Sequence, residues 1–98
     1  MKTETFKSVW DAIEDDPVVA RAMERRSDLL LKVRRTIAEV NYTQAEAARI
    51  LKISRPRVSD LQRGKVGLFS LETLMAFLER LGQDVRIDVR PARKRKAA

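Results

Sequence analysis

Residues 43–64, TQAEAARILKISRPRVSDLQRG, gather polar and cationic side chains around a small apolar pattern. Ala47, Ala48, Leu51, Ile53, Val58 and Leu61 have the spacing of a core, whereas Gln44, Arg55, Arg57, Ser59 and Arg63 fall outside it. Arginine, glutamine and hydroxyl side chains on the open face of a helix meet phosphate oxygens and base edges. Covalent chemistry has no such basis here. The chain contains neither cysteine nor histidine, which removes disulfides, thiolate nucleophiles, Cys/His zinc sites and histidine general bases. Its charged residues show no nucleophile beside a base. The expectation is a protein that is not an enzyme and takes no metal and no cofactor.

Bulk composition agrees with a binding role. Of 98 residues, 44% are hydrophobic and 36% charged, with a formal net charge of +7. The first figure suits one small folded domain with a modest core, and the excess of cations favours a polyanionic partner. No apolar run reaches the length of a bilayer span, and MKTETFKSVWDAIEDD lacks a secretory pattern. A cytoplasmic protein, nucleoid-associated when bound to DNA, is therefore expected.

The elements that must hold this cationic face are legible from their end signals. Phe6, Val9, Trp10 and Ile13 have helical spacing, so residues 1–16 read as an N-terminal helix or arm. Asp15 and Asp16 before Pro17 mark the start of a long helix carrying Val19, Met23, Leu30, Val33, Ile37 and Val40. A second start at Ser27 or Asp28 leaves open whether residues 17–41 form one helix or two. Leu29 and Leu31 lie off the stripe and suggest a second apolar face, covered by the N-terminal segment or another chain. Thr43 with Glu46 makes a capping box for a helix ending near Leu51. Ser54 caps the next, over 55–63, which stops at Gly64. Pro56 is tolerated because it lies in that helix's first turn. Ser70 caps a last helix with Leu71, Leu74, Met75, Leu78 and Leu81 on its buried side, closed by Gly82.

Two short helices joined by a few residues make a helix-turn-helix layout. The first braces across the DNA backbone and the second enters the major groove by its N-terminal end. Ala48 supplies the small residue at the crossing. Leu51, Ile53, Val58 and Leu61 set the angle, and Arg55, Arg57, Ser59 and Arg63 avoid the Val58/Leu61 face.

Gln44, Ala48, Ile53, Val58, Ser59, Leu61 and Gly64 resemble the helix-turn-helix of the Xre family, the lambda-repressor-like domains, over about residues 28–81. The resemblance implies that Gln44 braces a phosphate and that Arg55, Arg57 and Ser59 read the groove. Arg55 and Arg57 would each meet a base or a phosphate. Asp60 would accept from a cytosine amino group or orient a neighbouring arginine. With Thr43, Lys52, Arg63 and Lys65 these complete the expected DNA-binding set. The family's turn glycine is Lys52 here, and a residue other than glycine at positive φ costs on the order of 1 kcal/mol. FKSVWDAIEDD, RSDLLLKVRRTI and GKVGLFSLETLMAFLERLG before a terminal strand are also similar to HigA-like antitoxins, Xre-type regulators encoded beside a small ribonuclease toxin. That likeness implies a repressor that binds its operator as a dimer. The Trp10 stripe reads as core or dimer surface before toxin dock, and the acidic Asp11, Glu14, Asp15 and Asp16 are the surface that would meet a basic toxin.

After Gly82 the period changes. Val85, Ile87 and Val89 alternate with Arg86, Asp88 and Arg90, the pattern of a half-buried strand over residues 83–91. A lone strand is not stable. Paired antiparallel with its own copy about Ile87, it sets Asp84 against Arg90, Val85 against Val89 and Arg86 against Asp88, every charged pair of opposite sign. Docking on its own chain, or joining a partner's sheet, is the alternative. Residues 92–98 are a basic tail.

The expected whole is an all-α, five-helix lambda-repressor-like DNA-binding domain (residues 17–82) with a short C-terminal dimerising β-strand. It would act on a two-fold operator in double-stranded DNA as a homodimer, with a small ribonuclease toxin as partner and no membrane. A stand-alone or phage-type regulator without a toxin, and a module binding RNA or an acidic protein, remain the other readings.

Overall fold

Asp16 opens the structured part of the chain by accepting a hydrogen bond from the Val18 amide, with Pro17 in the first turn. The structure, a computed structural model, describes residues 16–92; the expected N-terminal helix, its Trp10 stripe and most of the acidic patch lie outside these residues, as does nearly all the tail. Helix α1 (Pro17–Val40) is unbroken and about 36 Å long at 1.5 Å per residue. Ser27 and Asp28 are exposed and do not interrupt it, because a polar side chain turned to water does not compete for the helix's own amides. Leu30, Val33 and Ile37 form its buried stripe, with Thr36 between them returning a hydrogen bond to the Lys32 carbonyl. The expected stripe was longer; Val19 and Val40, at its two ends, are exposed, and Met23 is half-buried. Asn41 ends the helix in the left-handed conformation, φ 66°.

Helix α2 (Gln44–Leu51) starts on the complete Thr43/Glu46 capping box, and α3 (Arg55–Gln62) on Ser54, whose hydroxyl accepts from the Arg57 amide. Gly64, at φ 78°, turns the chain out of α3, a conformation that glycine adopts without penalty. A 3₁₀ turn (Val66–Leu68) that carries no periodic signal leads into α4 (Leu71–Arg80), capped by Ser70. Helix α4 packs chiefly on α1, and α2 on α3. Between them lies one core containing Val33, Ala47, Leu51, Val58, Leu61 and Leu74.

Two aromatic residues in this core had no place in the expected pattern. Phe69 and Phe77 are both buried and meet edge-to-face, ring centroids 5.9 Å apart at 67°, an arrangement favoured by the ring quadrupoles. Phe69 is held from behind. The Arg26 guanidinium, projecting from α1, donates to the Phe69 carbonyl at 3.0 and 3.2 Å and to the Val66 carbonyl at 3.3 Å.

Two expectations need correction. Among the described residues there are four α-helices and one 3₁₀ turn, and no strand; the domain expected to hold five helices over residues 17–82 holds four, since Ser27 and Asp28 do not divide α1. Asp84–Arg90 belongs to no ladder, because a strand exists by hydrogen bonding to a neighbour and no described segment of the chain runs beside it. Val85 packs against the core, whereas Ile87 and Val89 are 74% and 87% exposed.

Candidate nucleic-acid interface

Helix α3 is seated on the core by Val58 and Leu61, one turn apart and fully buried. With about 100° of rotation per residue, that contact turns Pro56, Ser59, Asp60 and Arg63 outward and sets Arg55 and Arg57 on opposite flanks. Between Lys52 and Lys65 the sequence holds five cations and a single carboxylate. Lys52, Arg55, Arg63 and Lys65 are exposed. The outer surface of the motif is therefore cationic.

The turn into α3 has the geometry that the glycine-for-lysine departure raised. Lys52 adopts φ 61°, ψ 45°, and its amide together with that of Ile53 closes the end of α2 on the carbonyls of Arg49 and Ala48. Ordinary left-handed geometry is thus kept, with a lysine bearing the strain and its side chain exposed.

The other expected contact residues divide by what already occupies them. Arg55 and Arg63 have no side-chain bond among the described residues. Thr43 accepts from the Glu46 amide at 3.1 Å, and Ser59 is half-buried on the outer face of α3. Gln44 donates through Nε2 to Gln62 Oε1 at 3.2 Å, tying the first turn of α2 to the last turn of α3. Asp60 faces Lys65, Oδ1 to Nζ 3.5 Å; of its two expected roles, cytosine acceptor or orienter of a neighbouring arginine, the second has no counterpart among the described residues, the partner being a lysine beyond the helix.

Arg57 is the most committed of the set. Its guanidinium lies over the Phe69 ring, 4.4 Å from the centroid, and donates to the Leu68 carbonyl at 3.3 Å. Cation–π contact and hydrogen bond together fix the 3₁₀ turn against α3. Arg26 grips the same turn from α1. The carbonyls of Val66, Leu68 and Phe69 are thus held by two guanidinium groups from two different helices. Sequence reasoning missed this cluster because its members are 11 to 43 residues apart.

No helix among the described residues is long and apolar enough to cross a membrane, and no group of acidic residues there is placed to hold a metal ion.

Comparison with known proteins places this geometry. The family model described as a helix-turn-helix domain matches residues 12–90. A solved structure described as a candidate XRE-family transcriptional regulator superposes with a TM-score of 0.74 at 35% sequence identity, over 81% of this chain and 89% of that one. Among curated proteins, none matches. The chain belongs to the helix-turn-helix domain family, in its Xre-type form.

Proposed function

We propose that this protein is a DNA-binding transcriptional regulator, a repressor that inserts α3 into the major groove. The observation that carries this reading is the division of α3 itself. Val58 and Leu61 are wholly buried while Lys52, Arg55 and Arg63 stand exposed around the same short helix. The family match and the likeness to a solved protein described as a candidate transcriptional regulator support it. In this reading Arg55 and Arg63 make the direct DNA contacts, with Lys52 and Lys65 on flanking phosphates. Arg57, already engaged with Phe69, shapes the turn beside the groove.

The protein acts as a dimer on a two-fold operator, its paired α3 helices entering successive major grooves about 34 Å apart. It is, further, the antitoxin of a toxin–antitoxin pair; the resemblance of its sequence to HigA-like antitoxins supports this, and a small ribonuclease is the expected partner. Two measurements test these statements separately. Competition between the promoter of its own gene and a random duplex at moderate salt should show preference for the promoter, and equal competition would remove the regulator reading. Co-purification with the product of the neighbouring gene tests the antitoxin role, and a chain that binds the promoter but recovers no such partner acts alone.

A further inference from the structure

Beside the helix-turn-helix, on the α1/α4 side, runs a groove of about 370 Å³ lined by Leu29, Leu71 and Met75 together with Arg25 and Asp28. The chain's own C-terminal segment enters it at Val85 and then leaves; Ile87 stands on the rim 74% exposed, and Val89 is 87% exposed. Asp84 pairs with Arg86 at 2.9 Å, and Asp88 with Arg90. All four charges therefore share one face of an extended segment, leaving Val85, Ile87 and Val89 on the other. The segment has the alternation of a strand and, among the described residues, no strand to pair with.

We infer that the missing neighbour is the same segment of a second copy, paired antiparallel about Ile87, and that the partner's Val89 completes the groove. The inference deepens the proposed dimer and rests on that reading for its relevance to operator binding. Its warrant is the register. Pairing about Ile87 sets Arg86 opposite Asp88 and Asp84 opposite Arg90 in both halves, so no like charges face each other. A shift by one residue sets apolar side chains against charged ones. Residues directly opposite on an antiparallel pair share a face, with Cβ atoms about 5 Å apart. Val85 is already in the groove, so the partner's Val89 comes to rest beside it, above Leu29, Leu71 and Met75. Two-stranded ribbons are marginal alone; this one is backed on each side by a helical domain. Each domain's groove is then filled by its own Val85 and by the other chain's Val89.

Charge reversal tests the register, by sedimentation velocity without DNA. Arg86→Asp alone places aspartate opposite Asp88 twice, and Asp88→Arg alone places arginine opposite Arg86 twice. Each variant should sediment as a monomer at concentrations where the wild type is dimeric. An equimolar mixture should form a dimer containing one copy of each, because both cross-strand pairs are then of opposite sign. As a second probe, Ile87→Cys in this cysteine-free chain should give a disulfide-linked dimer under mild oxidation, while Val40→Cys, exposed at the end of α1 farther from the groove, should not. Single variants that remain dimeric, or a mixture that stays monomeric, would overturn the inference. A wild type that prefers its promoter but fails these tests loses the strand interface alone. One that passes them but ignores its promoter keeps the interface and loses the regulator reading.

Discussion

At Lys52 and Arg57, single side chains decide between folding and binding. Lys52 holds a left-handed conformation that glycine would take freely. Lys52→Gly should raise stability by at most about 1 kcal/mol, the relief being partly offset by a more flexible unfolded chain. The same change should weaken DNA binding and reduce its salt dependence by about one phosphate contact; thermal unfolding and titrations at several salt concentrations measure the two effects. Unchanged affinity would mean that the ammonium has no role at the interface. Arg57 behaves differently. Removing it by Arg57→Ala breaks the stack on Phe69 and the bond to the Leu68 carbonyl, at a cost of about 1 kcal/mol. Arg55→Ala removes no side-chain hydrogen bond or ion pair among the described residues and should leave the melting temperature unchanged within error. The two arginines are indistinguishable in the sequence as basic residues two apart, because what separates them is a phenyl ring that a local pattern does not place.

At the scale of elements, the helices were legible because their ends are chemical. Asp16, Thr43, Ser54 and Ser70 each accept from a backbone amide of the first turn, and such caps are visible as residue types next to apolar periodicity. What stayed hidden was the piece between α3 and α4. Val66–Leu68 has no period, and its stability comes from Arg26, distant in sequence, and from Phe69 folding back onto Phe77. This yields an expectation for the turn itself. Phe69→Ala, which empties a fully enclosed site, should cost about 3–5 kcal/mol and leave a small domain barely folded. Arg26→Ala should cost about 1–3 kcal/mol by removing charge-assisted bonds; it should also raise amide exchange in the 66–69 segment more than in α2. Equal acceleration across the protein would show that Arg26 supports the fold as a whole and not this turn. The C-terminal segment was legible in its alternation yet forms no strand among the described residues, since pairing is a property of two segments and not of one.

For the whole molecule, the arrangement separates what holds the domain together from what meets its ligand. The core is shared by all four helices, and around α3 the exposed Lys52, Arg55, Arg63 and Lys65 stand outside it, with no buried ion pair among the described residues to restrain them. A net charge of +7 on 98 residues should make binding to any duplex fall steeply with salt, in proportion to the phosphates neutralised. Preference for one sequence should then rest on α3 alone. The most direct measurement is therefore the affinity of wild type and Arg55→Ala for the promoter duplex and for a random duplex, side by side at one salt concentration. The account predicts a loss of about 1–3 kcal/mol on the promoter, with a much smaller loss on random DNA. Equal losses on the two duplexes, or none on either, would contradict the assignment of α3 as the helix that reads the groove.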